Sequence, residues 1–200
     1  RRAPGGRANG PHVRVQRHNG HPRAPRGAPR LWYACRIVTF EVGDHVVYPS
    51  QGAGVVAERT TRVVLGQEHE YLKVVFIRGD MEVLVPLKKG EEVGLRHTVG
   101  TDEIPRLFEA VREADLTLPA QWPPRFRAEQ EILAGGSAYD LARLIGVLAK
   151  RDVEKGLAAT EREVLDNARL MLASELAVVQ DTDLETAEAQ LDEVIAVHAS

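Results

Sequence analysis

Residues 40–56 read FEVGDHVVYPSQGAGVV, and the organisation of the chain can be worked outward from them. Gly43-Asp44 precedes the apolar run Val46, Val47, Tyr48, and a turn cluster follows from Pro49 to Gly54. Glycine supplies the positive φ that tight turns demand, so the pattern predicts a strand, a turn and a second strand from Gly54. That second strand is expected to run on, bent, through Thr60 to Leu65 until Gly66-Gln67 breaks it. Tyr71 to Ile77 (YLKVVFI) is β-branched and aromatic, as a buried strand should be. Arg78-Gly79-Asp80 turns the chain, Met81 to Leu87 returns as a fourth strand ending at Pro86, and Val93 to Arg96 is expected to add a fifth. Short strands this close together predict a twisted sheet or half-open barrel.

Beyond residue 100 the periodicity changes to that of helices. Ile104, Leu107, Phe108 and Val111 recur at i, i+3, i+4 and i+7, which makes one apolar face. Leu118-Pro119 and Pro123-Pro124 are expected to break the chain on either side of Trp122, with a helix from Arg125 to Leu133 ending at Gly135-Gly136. Ser137 is placed to cap the next helix, where Leu141, Leu144, Ile145 and Leu148 share a face and Gly156 stops it. Thr160 with Glu163, and Thr182 with Glu185, have capping-box spacing ahead of two more helices. Four or five short helices with brief loops predict a compact bundle.

On the other side, residues 1–36 hold nine arginines and no acid, among many prolines and glycines. They read as a disordered basic segment. It is either a nucleic-acid arm or a stretch foreign to the native protein, and the abrupt start of patterned sequence near Ile37 to Phe40 favours the second. The remaining 17 Lys/Arg face all 29 Asp/Glu, so residues 37–200 carry a net −12. Such a body repels free duplex DNA, because non-specific affinity comes mainly from neutralising phosphates. Any DNA contact must then be local, and delivered by something else that holds the protein in place.

Little in the sequence points to catalysis. Three of the seven histidines lie in the basic segment, and His45, His69, His97 and His198 fall on different predicted elements. There is no H-E-x-x-H, no G-x-S-x-G, no phosphate-binding G-x-x-x-x-G-K-[ST] and no G-x-G-x-x-G after a strand. The single Cys35 excludes an intrachain disulfide and a multi-cysteine zinc site. No run approaches the roughly 20 apolar residues that a spanning helix needs, and no secretory signal opens the chain. A cytoplasmic protein that is not an enzyme, with no cofactor and no metal, is the expectation.

Three features stand above this background. Trp122 lies between prolines with Arg125 and Arg127 close behind. A tryptophan is most often a core residue, but an exposed indole beside cations is suited to wedging against bases while the arginines hold phosphates. Thr60 to Gly66 and Met81 to Pro86 are either ordinary strands or sheet edges able to add a partner's strand. The third is the 40–56 stretch itself.

Together these segments resemble the CarD/CdnL family of bacterial transcription regulators. The residues that carry the likeness are F-x-V-G-D-x-V-V-Y-P at 40–49, G-x-G-V-V at 52–56, Gly66 followed by Glu70-Tyr71-Leu72, V-P at 85–86 and V-G-L-R at 93–96. In the second half they are Leu118-Pro119, Gln121-Trp122, Arg125, Arg127, Glu131-Ile132-Leu133 and Glu154-Lys155-Gly156-Leu157. The resemblance implies an α+β fold of segregated domains. A Tudor-like β-sheet or half-barrel would span 37–99, and an all-α bundle of four to five short helices 100–200. It implies that the β domain binds the RNA polymerase β subunit through an edge strand, with Arg62, Val63, Val64, Val83, Leu84 and Val85 at the contact. It further implies that Trp122 enters the minor groove at the upstream edge of the transcription bubble, with Arg125 and Arg127 facing the DNA backbone. Leu84 stands where relatives often carry a basic residue, which bears on the strength of the polymerase contact and not on its place.

The function expected on this basis is a monomeric regulator that docks on polymerase and stabilises the promoter open complex. The alternative is a protein–protein adaptor on the transcription machinery without direct DNA contact, for which the indole would be buried. A third reading, an autonomous nucleic-acid binder, acts through residues 1–36.

Overall fold

The computed structural model describes residues 39–198 apart from 50, 80 and 91. The expectations for residues 1–36, that for Cys35 included, lie outside the described residues. Five strands form one antiparallel sheet in the order β4-β3-β2-β1-β5. They are β1 (His45–Tyr48), β2 (Gly52–Val64), β3 (Gln67–Phe76), β4 (Glu82–Pro86) and β5 (Arg96–His97). Five α-helices follow: α1 (Ile104–Glu113), α2 (Trp122–Gly135), α3 (Ala138–Lys155), α4 (Ala159–Gln180) and α5 (Leu184–His198). This is the expected α+β architecture, a small half-barrel-like sheet and then a helical bundle.

The long second strand bends as its sequence implies. The register of β2 against β3 slips between Val56 and Glu58, leaving Ala57 as the extra residue of a bulge. Past the bulge β2 leaves β1, which pairs only with Gly52 to Val55, so the distal parts of β2 and β3 form a two-stranded ribbon. Its tip is a two-residue turn in which Leu65 (φ 54) and Gly66 (φ 77) both adopt left-handed backbone. That turn matches the twist of the strands it joins. Gly66 adopts it freely, whereas Leu65 does so under strain and stands entirely exposed.

One face of the sheet buries Phe40, Val46, Val56, Leu72, Val74, Phe76, Val85 and Leu95. The bundle has its own core, in which Leu107, Val111, Leu141, Leu144, Ile145, Leu148, Leu172, Leu176 and Leu191 are almost wholly excluded from water. Fully burying one such side chain stabilises by about 1.5–3 kcal/mol. The expected boundary between 99 and 100 falls just before a 3₁₀ turn at Thr101–Glu103, and α4 packs across it onto β1 and β2. Val47, Ala53 and Val178 form the apolar seam there.

Several local expectations need correction. The fifth strand is Arg96–His97, not Val93–Arg96, because only this pair reaches the edge of β1. α4 starts at Ala159, so Thr160 lies inside it, and Glu161 supplies the cap by accepting from the Ala158 N–H at 3.1 Å. Before α5 the cap is Asp183, not Thr182. Its carboxylate accepts from the Thr186 N–H at 2.7 Å, and that bond holds it below the usual carboxylate range. Ser137 caps α3 as expected, accepting from Asp140 N–H at 3.4 Å. Most consequential is α2. It begins at Trp122, not at Arg125, because prolines fit the first turn of a helix, where their missing N–H would have no partner in any case.

Candidate nucleic-acid interface

Gln121 is extended (φ −80°, ψ 140°), and the chain enters α2 directly at Trp122. The indole is therefore the first side chain of a helix. Trp122 is 48% exposed, and Pro123 and Pro124 beside it are exposed as well. The two prolines lack two of the N–H groups that a helix start normally offers to anions. This end of α2 is thus an apolar wedge more than a phosphate cradle. Phe126, one turn on, stacks beneath the indole with ring centroids 5.6 Å apart and planes 12° from parallel. Phe126 in turn packs on the bundle core, so one indole face is braced while the ring stays open to solvent. Arg127 is exposed.

Arg125 corrects the expectation drawn from the resemblance. It is only 7% exposed and points into the bundle, because its helical phase sets it on the face opposite the solvent side of α2. Its Nε donates to Glu161 Oε1 at 2.9 Å and its Nη1 to the Ala120 carbonyl at 2.8 Å. A guanidinium so engaged is not offered to a phosphate. It ties the residues just before Trp122 to the first turn of α4. Glu161 also takes Arg151 of α3 at 3.3 Å. Burial alone pushes the Glu161 carboxyl up, but the Ala158 N–H and the two arginines outweigh it and hold the group below its ordinary range. Glu129, one turn after Arg125, is fully buried, with Oε1 3.7 Å from Arg125 Nε and both oxygens without a hydrogen bond. Burial, followed by the charge of Glu161, pushes its carboxyl up, against the pull of Arg125 and Arg151.

The other end of α2 is held by the sheet. Arg96 of β5 donates from Nε to the Gly136 carbonyl at 2.8 Å, where α2 ends. Its Nη1 and Nη2 grip the two oxygens of Glu175 on α4, each at 2.7 Å. Glu175, fully buried, also accepts from the Val99 N–H at 2.9 Å. Nearby, Ser174 Oγ accepts from the Ala53 N–H at 3.0 Å and donates to the Met171 carbonyl at 2.7 Å. A side chain on Gly52 would strike Ser174 Oγ, and Gly52 is left-handed besides (φ 89°), so β2 reaches α4 this closely only through glycine. α2 is consequently pinned at both ends, by Arg125 at its start and by Arg96 just past its finish.

The second predicted surface lies on the sheet. β4 pairs only with β3 and is an edge of the sheet. Register and alternation set Leu84, Lys73, Glu58 and Arg62 on the face opposite the core. Arg62, Val63 and Val64 are exposed on the ribbon, and Val83 and Leu84 are partly exposed. Val85 departs from the expectation: its side chain is buried in the sheet core, so only its backbone faces the edge. Among the described residues there is no cluster of three or more metal-ligating side chains, and no helix is long and apolar enough to cross a membrane.

Sequence reasoning named Trp122, Arg127 and Arg62, which are exposed, and β4, which is a sheet edge. It missed Phe126, Glu129, Arg151, Glu161 and Glu175. Their signals are the i, i+4 spacings of Trp122 with Phe126 and of Arg125 with Glu129, whose meaning depends on which helix face is inward.

Comparison with known proteins divides the chain where the secondary structure changes. Residues 40–99 match the model of the CarD-like/TRCF RID domain, and residues 106–192 match that of the CarD C-terminal domain. YdeB of Bacillus subtilis (strain 168), provisionally named a transcription factor, is 27% identical over 143 residues, covering 70% of this chain and 92% of that protein. With both of its characteristic domains present in order and spanning most of the length, the chain belongs to the CarD-like family and has a role related to transcription.

Proposed function

We propose that the protein binds the RNA polymerase β subunit through the free edge of its sheet and stabilises the promoter open complex with Trp122. The β4 edge and the outward face carrying Arg62 and Leu84 form the polymerase contact. An unpaired strand edge offers a row of backbone donors and acceptors, and Arg62 adds a charge. Trp122 wedges into the minor groove at the upstream edge of the bubble, and Arg127 lies against a phosphate. Arg125 has a different task, holding the wedge from behind.

The observation that carries this reading is the indole at the head of α2, exposed on one side and braced by Phe126 on the other. A buried indole would have favoured an adaptor without DNA contact. The net −12 body argues against autonomous DNA binding and for delivery by a carrier. Docked on polymerase, as a monomer in the cytoplasm, the wedge meets DNA at high effective concentration, so a weak contact suffices. It shifts the equilibrium between closed and open complexes by its differential affinity for the two.

The test is Trp122→Ala. Stacking worth about 1–3 kcal/mol per base corresponds to an open-complex lifetime shortened about five- to a hundredfold, with polymerase binding retained. An unchanged lifetime at several promoters overturns the wedge.

A further inference from the structure

Four charged side chains meet under the wedge: Arg125 and Glu129 from α2, Arg151 from α3 and Glu161 from α4. In the arrangement seen, Glu161 takes both arginines, and Glu129 takes neither within hydrogen-bond distance. Arg151 Nε is also buried without a hydrogen bond. Two cations thus stand between two carboxylates, one of which is satisfied and the other not. A buried carboxyl without hydrogen bonds is tolerable only when it is neutral. Once ionised, it competes for the nearest guanidinium, and Arg125 Nε is 3.7 Å away.

Arg125 is also the residue that ties the wedge down. The Ala120 carbonyl it holds lies two residues before Trp122, and its own position lies three residues after. A shift of its guanidinium from Glu161 toward Glu129 therefore moves the chain on both sides of the indole. A cavity of about 330 Å³ opens beside the cluster, lined by Leu118, Ala120, Arg125, Lys150, Arg151 and Glu154. Of these, Lys150 and Glu154 are exposed and bring opposite charges to its mouth.

We propose that Glu129 is a positioning residue for Trp122: its proton decides whether Arg125 stays on Glu161 and the Ala120 carbonyl, and so how the indole is presented. With Glu129 neutral, Arg125 and Arg151 both serve Glu161, and the first turn of α2 is fixed. With Glu129 ionised, the arginines are divided between two carboxylates and that turn loosens. Burial, followed by the charge of Glu161, raises the proton-loss step above its ordinary value. This inference rests on the wedge reading for its purpose, though not for its measurement.

The experiment uses the full chain with Trp32→Phe, so that Trp122 is the sole indole. Acrylamide quenching of its emission is followed from about pH 4 to 9, spanning the ordinary carboxylate and histidine ranges. The expected result is a titration with its midpoint above the ordinary glutamate value, abolished by Glu129→Gln. A flat profile, or the same titration in the Gln variant, overturns the proposal. Carbon-13 titration of the Glu129 carboxyl in the otherwise unchanged chain gives an independent check. An ordinary glutamate midpoint there also overturns it, whether or not the Gln variant folds. The two readings fail separately. Loss of the quenching titration with a Trp122→Ala effect on open-complex lifetime intact refutes only the Glu129 switch. The reverse outcome refutes only the wedge.

Discussion

Two ion clusters built on buried carboxylates hold α2, and they are built to different standards. At the joint with the sheet, Arg96 grips Glu175 bidentately, and the remaining capacity of both is taken up by the Gly136 and His97 carbonyls and the Val99 N–H. Under the first turn of α2, Glu161 accepts hydrogen bonds from Arg125 and the Ala158 N–H, while Glu129 and Arg151 Nε, the latter only ion-paired with Glu161 at 3.3 Å, have none. A saturated buried network specifies one arrangement, because every alternative orphans a charge. A network with two members unsatisfied has a second arrangement nearby. The comparison teaches that α2 is held by a fully hydrogen-bonded cluster where it joins the sheet and by an incompletely hydrogen-bonded one behind the indole.

The largest expected effect comes from breaking the rigid cluster. Glu175→Ala leaves Arg96 and the Val99 N–H without their acceptor and should cost about 3–5 kcal/mol in urea unfolding, as removal of one partner from a buried pair does. A cost below about 1 kcal/mol would mean that the joint is not the rigid element described.

Next come the two carboxylates of the wedge cluster, which differ in sign. Glu161→Gln removes the negative charge that faces two arginines and should cost about 2–3 kcal/mol at neutral pH. Because the Glu161 carboxyl lies below its ordinary range in the folded state, its contribution is present above the unfolded value and is lost as pH falls through the folded one. The variant and the parent should therefore converge in acid. Glu129→Gln should do the reverse. A carboxyl raised on folding binds its proton more tightly in the native state, so stability declines as pH rises from the unfolded value through the folded one. The Gln variant should gain about 1 kcal/mol at neutral pH and lose that advantage toward acid. Thermal melts across pH read both slopes, and slopes of the same sign would erase the distinction between the two groups.

The smallest effect belongs to the ribbon tip, which touches neither cluster. Leu65→Gly relieves a left-handed leucine and should stabilise by about 0.5–1 kcal/mol, with both pH slopes unchanged. A change in either slope would mean that the clusters are coupled through the sheet.

Much of this molecule was legible in one dimension. The switch from period-two to period-3.6 patterning near residue 100 announced sheet then bundle, and Leu141, Leu144, Ile145 and Leu148 proved to be a buried face as spaced. The glycine turns and the bend in β2 were readable because backbone conformation is a local property. Cap positions slipped by one or two residues, since several side chains near each helix start were competent and packing chose among them.

Charged residues were the least legible, for a physical reason. An arginine four residues before a glutamate reads the same on a wet face as in a core, and only the packing of α2 on α3 and α4 turned Arg125 and Glu129 inward. Likewise Val85 and Leu84 are neighbours of similar chemistry, and the register of β4 on β3 alone put one inside and the other out. Residue order determined which elements form and which apolar faces must meet, because those depend on periodicity. Tertiary packing decided which charges are buried together and which indole is left standing free, because both depend on residues that come close only when the chain is folded.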